Sequence, residues 1–309
     1  MKALIAIVTH NRPAMLLDAL RSARAQVLPD GVSATVVIVD NSRDANARMP
    51  VLAEAARPGL PFRYLSVPEP NISLARNRAV AALEDDWLVF LDDDQVAEPG
   101  WLAGLLATGE TTGADVVFGA MLPVFPGGPP AWDRSGRSLT RDIALPSGST
   151  IGLDHDKRLS GLWIGTGNCL FRAATCFWEA APFDPALGRT GGEDYDFFVR
   201  LHARGRRFVW CGEAPVREVI PPERLTTAYR WDRSFRAGQL YGWITVRNAR
   251  HRAAAAVALA TRAALQLVLV SGLWSVSRLR CAPDAELRGL KFAEVAGKLL
   301  WPGRPGDHR

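Results

Sequence analysis

Three aspartates in a row, Asp92-Asp93-Asp94, close the apolar stretch Trp87-Leu88-Val89-Phe90-Leu91. Adjacent carboxylates repel one another, so three of them at the end of a buried strand call for a compensating cation. A hard divalent ion, Mg2+ or Mn2+, takes oxygen ligands and shares them with substrate phosphates. A carboxylate–metal–diphosphate bridge would neutralise a departing diphosphate, which is Lewis-acid and electrostatic catalysis. The plain alternative is a solvated acidic turn. A second acidic group, Glu193-Asp194-Tyr195-Asp196, follows Gly191-Gly192 and opens a helix that Gly205 closes. A helix dipole stabilises acids at its N-terminus, which accounts for them structurally. A carboxylate there can equally accept the proton of an attacking hydroxyl. Two acidic sites far apart in sequence would divide the work between cation and base.

Three further polar segments follow apolar runs. Asp40-Asn41-Ser42 ends Ala34-Thr35-Val36-Val37-Ile38-Val39. An acid at that place can accept a hydrogen bond from a nucleotide base or ribose, or simply cap a loop. In Glu69-Pro70-Asn71-Ile72-Ser73-Leu74-Ala75-Arg76-Asn77-Arg78, Ser73 reads as the N-cap of a helix over 74–83. Arg76 and Asn77 then fall in a first turn that favours an anion, so Arg76 reaches donor phosphate or base, or is ordinary surface. Thr9-His10-Asn11-Arg12-Pro13 ends the run 4–8. A lone histidine after a buried strand is more often structurally satisfied than a ligand, and His10 is read so.

The elements that must hold these groups alternate. Strands over 4–8, 34–39, 62–65, 87–91 and 115–119 are separated by helices over 14–25, 74–83 and 99–108. That alternation predicts an α/β fold, a parallel sheet with helices on both faces, and a ligand site beyond the carboxyl ends of the strands. From 123 to 161 the text turns rich in Pro, Gly, Ser and Arg, an excursion long enough to fold over a substrate. Strand-like text returns at 162–171 and at 207–210. Trp163 and Trp210 flank the expected site, and aromatics can stack on sugar rings, but Trp132, Trp163, Trp210, Trp231 and Trp243 are read first as core.

From Leu225 onward the chain is helical and basic. The stretch 253–270 is strongly apolar but broken by Thr261, Arg262 and Gln266, and it is flanked by Arg247, Arg250, Arg252, Arg278 and Arg280. A membrane-surface helix, a buried scaffold or dimer contact, and a true span are the three readings, the first preferred. With 37 Lys and Arg against 32 Asp and Glu, the net charge of +5 is too diffuse for a nucleic-acid binder and fits a partner bearing diphosphate or anionic lipid. The four cysteines form no C-x-x-C pair, which suggests reduced thiols in the cytoplasm. The apolar run at 3–8 is too short for a signal peptide and reads as a first strand.

Taken together, IAIVTHNRP, VVIVDNS, ISLARNRA, VFLDDDQ, GTGNCLFR and GGEDYDFFVRL resemble, in this order, the family-2 inverting glycosyltransferases of the GT-A fold. The segment from Trp210 to Gln239 resembles the bacterial exopolysaccharide subset, of succinoglycan type. The resemblance implies a GT-A domain over 1–224, with a nucleotide-binding half at 1–119 and an acceptor half at 120–224. A basic and apolar helical extension would occupy 225–309. It implies that Thr9, Asn11 and Asp40 line base and ribose and that Arg76 reaches base or diphosphate. Asp92 and Asp94 would hold the metal as the outer acids of a DxD motif, with Asp92 or Asp93 toward the ribose and Asp94 nearest the ion. Gly167 and Asn168 would lie near the donor sugar, Asp194 would be the catalytic base, and Glu193 an acceptor ligand. The implied cofactor is Mg2+ or Mn2+. The implied partners are a nucleotide-sugar donor, a UDP-sugar first, and a glycan or polyprenyl-diphosphate-linked acceptor. Contact with a membrane surface through 247–280 would place the protein peripherally on the cytoplasmic face of the inner membrane. Many relatives carry a histidine where this chain reads Ala214-Pro215-Val216-Arg217-Glu218-Val219, so Glu218 or Arg217 would take that place. An inactive sugar-nucleotide-binding scaffold would predict broken acids, and all are intact. A nucleotidyltransferase would predict a Gly- and Lys-rich loop near the N-terminus, and none is there.

Overall fold

A computed structural model describes residues 1–153, 165–282 and 284–301. The first three residues of the strand expected over 162–171, Trp163 among them, lie outside the described residues; within them that strand is β8 below. The first half alternates as the sequence predicts: β1 (Lys2–Thr9), α1 (Pro13–Arg24), β2 (Ser33–Asp40), α2 (Arg48–Ala53), β3 (Phe62–Ser66), α3 (Ile72–Val80) and β4 (Trp87–Asp92). After it come β5 (Gln95–Ala97), α4 (Trp101–Thr112), β6 (Val116–Val124), β7 (Thr150–Ile151), β8 (Cys169–Arg172), α5 (Ala173–Cys176), α6 (Glu193–Ala203) and β9 (Phe208–Val219). The chain then turns helical, in α7 (Thr227–Arg247), α8 (Arg252–Leu279) and α9 (Ala285–Leu299).

The strands make one nine-stranded sheet in the order β3-β2-β1-β4-β8-β6-β9-β5, with β7 on β9. The β3-β2-β1-β4 half is parallel, because each of its strands returns through a crossover. The sheet is mostly parallel, as the resemblance implies; the exception at its centre is β8, which runs antiparallel to both β4 and β6. β8 arrives from the long excursion and not through a βαβ unit, so no crossover fixes its direction. Strands β1, β2 and β4 have no exposed residue from Ala3, Ala34 and Trp87 onward, as continuous apolar runs between two helical layers should. One face packs α1 and α4 through Leu16, Leu20, Trp101 and Leu105; the other gathers Phe90, Phe118, Phe171, Phe183, Phe197 and Phe198.

Register places the chemistry. Thr9 pairs with Asp40 and Val8 with Asp92, so three adjacent strands deliver their polar ends side by side. β5 doubles back after the aspartates and pairs Gln95 with Glu218 of β9, which brings Glu218 beside them.

The C-terminal helices pack closely. Ser234, Gly238 and Gly242 on α7 and Gly289, Ala293 and Gly297 on α9 recur every fourth residue and are all buried. A methyl group at Gly238 would collide with the carbonyl oxygen of Glu294, and one at Gly297 with that of Phe235. Small residues at this spacing let two helix backbones touch. α7 is also tied to the sheet domain: Asn248 donates to Asp196 at 3.0 Å and Arg247 pairs with Asp184 at 2.6 Å.

Candidate active site

A cavity of about 560 Å³ opens beyond the carboxyl ends of β1 and β4. Its walls carry Thr9, Asp92, Asp93 and Asp94 from the strand ends, Glu193 and Asp194 from the start of α6, and Arg76 from α3. The two acidic groups that the sequence separates by a hundred residues therefore share one pocket.

Thr9 donates its hydroxyl to Asp93 at 2.8 Å, and both are buried. Arg12 bridges Asp93 at 3.2 Å and Asp94 at 3.3 Å. Arg224 reaches Asp94 at 3.1 Å and Glu218 at 3.4 Å. Burial and the neighbouring Asp94 push the Asp92 carboxyl up to about 6. Glu218 is pushed up to about 7 by burial and by Asp94 and Asp92. Arg217, the alternative to Glu218, turns away to pair with Glu98.

The shape of this acidic corner fits a cation shared with a ligand. Its acids are all carboxylates that, with burial, raise one another's proton affinity, and Arg12 and Arg224 offset part of their charge. Among the described residues no group of three His, Cys, Asp or Glu is arranged to enclose a metal ion. An ion held by one or two carboxylates and completed by substrate phosphate needs no such cage.

Asp194 and Glu193 behave differently. Asp194 accepts from the backbone N–H of Tyr195 through Oδ1 at 2.7 Å, and its Oδ2 faces Gly165. Glu193 is buried in a short ion pair with Arg76, while its Oε2 has no partner. Burial is the main cause lifting the Glu193 carboxyl to about 7, and Asp194 adds to it against the pull of Arg76. Between the two acidic groups runs Gly165-Thr166-Gly167. A Cβ on Gly165 would lie 3.4 Å from Asp194 Oδ2, and one on Gly167 would overlap Asp92 Oδ2. Glycine at 167 is what allows the backbone against Asp92.

Several expected residues stand behind the wall and not in it. Asp40 is fully buried, and its oxygens accept from the backbone of Ser42 and Ala47 and from the Tyr64 hydroxyl, at 2.8, 3.1 and 2.7 Å. That is the capping alternative. Asn168 accepts from Trp101 and donates to the carbonyls of Ala120 and Ala214, so it ties the sheet together. Asn11 does not line the cavity and accepts from Asn46 at 2.9 Å. His10 lines it, but Asn41 O and Asn11 engage both ring nitrogens. The N-cap of α3 is Asn71, whose side chain accepts from Ser73 and Leu74, and Ser73 instead donates to Asp184. The helix therefore starts two residues early, and Arg76 sits in its second turn, away from the free N–H groups.

Other lining residues went unread in the sequence. Thr166 is fully buried with its hydroxyl unpartnered. Arg141, from the excursion, donates to the carbonyls of Gly119, Gly167 and Asn168. Tyr229, Arg230 and Arg233 come from the first two turns of α7. Arg230 stacks on Trp132 and pairs with Glu286 of α9 at 2.7 Å, so it clamps the excursion to the C-terminal helices. A signal existed: the arginines at 230 and 233 share one helical side by spacing. Trp210 is core, and Trp231 packs on Trp274 and Phe292.

This fold and cavity define a glycosyltransferase of GT-A type. The chain belongs to glycosyl transferase family 2, whose model matches residues 4–173. It is 33% identical over 308 residues to succinoglycan biosynthesis protein ExoM of Rhizobium meliloti (strain 1021), covering 96% of this chain and 92% of that protein. It is 27% identical to validoxylamine A glucosyltransferase of Streptomyces hygroscopicus subsp. limoneus, over 68% of this chain and 51% of that one. Among solved structures it resembles S. aureus TarS 1-349 in complex with UDP-GlcNAc, with a TM-score of 0.61 and 18% identity over 82% of this chain and 69% of TarS. A second TarS structure, in complex with UDP, gives a TM-score of 0.57 and 16% identity over 96% and 90%. At that identity the likeness is one of fold.

Proposed function

We propose that this enzyme moves a sugar from a UDP-sugar to a hydroxyl of a glycan or polyprenyl-diphosphate-linked acceptor, with inversion, in surface polysaccharide assembly. The observation that carries the reading is the Gly165–Gly167 segment, with Asp92 against one end and Asp194 against the other. Two residues of chain span at most about 7 Å, the scale of one pyranose ring. A donor sugar lying over this segment has its diphosphate toward Asp92 and its other face toward Asp194. The UDP and UDP-GlcNAc complexes of TarS and the naming of ExoM for succinoglycan biosynthesis support the donor and product classes.

In this reading the acceptor oxygen bonds to the anomeric carbon as the bond from that carbon to the β-phosphate oxygen breaks. Asp194 takes the acceptor proton through Oδ2, and UDP leaves with the bonding pair. The Tyr195 N–H holds the other oxygen of Asp194 and fixes its orientation. A Mg2+ or Mn2+ ion held by Asp94 and Asp92 would supply Lewis-acid neutralisation of the departing diphosphate. Arg12, Arg224 and Arg233 surround the same corner and offer donors to phosphate oxygens. Glu193, which lines the cavity with one oxygen on Arg76 and the other unpartnered, would bind an acceptor hydroxyl in this reading. The cysteines 169, 176, 211 and 281 are all free, which supports a cytoplasmic setting.

Calorimetric titration of UDP-sugars, with and without Mn2+, on wild type and Asp94→Ala tests the donor and the cation together. Tight binding of one UDP-sugar that needs both Mn2+ and Asp94 is expected. Binding of none, or binding indifferent to both, would overturn the reading.

A further inference from the structure

Helix α8 carries apolar residues on two opposite faces, and only one of them is covered. Leu259, Ala263 and Ser277 are buried, and Trp274 packs on Trp231 of α7 and Phe292 of α9. At about 100° per residue, these positions share one face. The opposite face carries Val257, Leu265, Val268, Val276 and Leu279, which are 67%, 65%, 74%, 45% and 85% exposed. Arg262 falls at one edge of that bare stripe and Arg278 at the other. A contiguous bare apolar stripe of this kind marks a surface that meets a partner or a membrane.

Charge decides what covers it. No Asp or Glu occurs between Asp232 and Asp284, whereas Arg250, Arg252, Arg262, Arg278 and Arg280 all lie on or beside α8. A second copy of the helix laid on this face, in either direction, would set arginine against arginine with no acid to answer. An anionic bilayer offers apolar chains to the stripe and phosphate to the arginines on its flanks. The helix is long and apolar enough to cross a membrane. Its inner face, however, is committed to α7 and α9, and α7 carries the exposed charges Asp232, Arg233 and Arg236.

We propose that α8 docks flat on an anionic membrane surface through the stripe from Val257 to Leu279. The proposal is independent of the transfer chemistry, because its readout is vesicle binding. Since α7 joins α8 to the cavity through Tyr229, Arg230 and Arg233, docking holds the cavity near the bilayer, where a lipid-borne acceptor resides.

The test is co-sedimentation of the full chain with vesicles of phosphatidylcholine alone or mixed with phosphatidylglycerol. Wild type is expected to pellet with the anionic vesicles and to remain in solution with the neutral ones. Leu265→Glu/Val268→Glu is expected to stay soluble with both, with an unchanged circular dichroism spectrum. Arg262→Ala and Arg278→Ala are each expected to weaken anionic-vesicle binding about fivefold. Wild type that ignores anionic vesicles would overturn the proposal. So would a dimer in sedimentation velocity that Leu265→Glu/Val268→Glu splits, or protein that alkaline carbonate cannot strip from vesicles, since these mark a second copy and a span.

Discussion

Arg76 and Glu193 form a buried ion pair across 117 residues of sequence, with side chains only 7% and 4% exposed. The pair locks α3 to the start of α6 and so fixes where Asp194 stands. Breaking a buried pair by removing one partner strands the other charge and costs about 3–5 kcal/mol. Arg76→Ala is therefore expected to lose roughly that much stability in denaturant unfolding above about pH 7, where Glu193 is ionised. Part of the loss should return in acid, where Glu193 protonates.

The same pair gives a pH signature. Burial raises the Glu193 carboxyl from its ordinary 4.5 to about 7, so the folded protein holds this proton more tightly than the unfolded chain. Its stabilising contribution is fully present below 4.5 and is lost as pH rises through about 7. The stability of wild type relative to Glu193→Gln should thus decline across that window. A difference that stays flat, or rises, would contradict the assigned direction.

Gly167 touches Asp92 so closely that Gly167→Ala must displace either the carboxylate or Gln95. Overpacking of this kind costs about 1–3 kcal/mol. Donor affinity is expected to fall along with stability, whereas Gly127→Ala, in open space, should change neither.

Arg233 has one hydrogen bond here, to the Tyr229 hydroxyl, and forms no salt bridge among the described residues, its charge acting on Glu218 only at longer range. Arg233→Ala should therefore leave the melting temperature unchanged. If Arg233 binds donor phosphate, its loss removes a charge-assisted bond of about 1.5–3 kcal/mol, or roughly a 10- to 150-fold weakening of UDP binding by calorimetry. An unchanged affinity would remove Arg233 from the donor site.

Much of this was legible in the sequence because it rested on period and punctuation. The apolar runs gave β1, β2 and β4, and their polar ends do lie side by side. The glycine pair and the acids gave the start of α6. What misled was hydrogen-bond demand. Asp40 and Asn168 have the residue types of ligands, but each sits where buried backbone groups need a partner, and those local needs consume them. Asn71 outcompeted Ser73 for the cap because its longer side chain reaches both free N–H groups. The wall from α7 was hidden because its arginines read as tail chemistry, and it takes the α7–α9 packing together with the Asn248–Asp196 and Arg247–Asp184 contacts to hold that tail against the cavity. The spacing of Ser234, Gly238 and Gly242 against Gly289, Ala293 and Gly297 was the clue to it.

The division of labour between Asp194 and the aspartates of β4 is tested most directly by UDP release from the bound UDP-sugar in the presence of a lipid-glycan extract, wild type beside Asp194→Asn. The substitution keeps shape and removes the base. Turnover is expected to fall by about 10²–10⁴-fold while calorimetric donor affinity holds. Turnover within a few-fold of wild type would contradict Asp194 as the base.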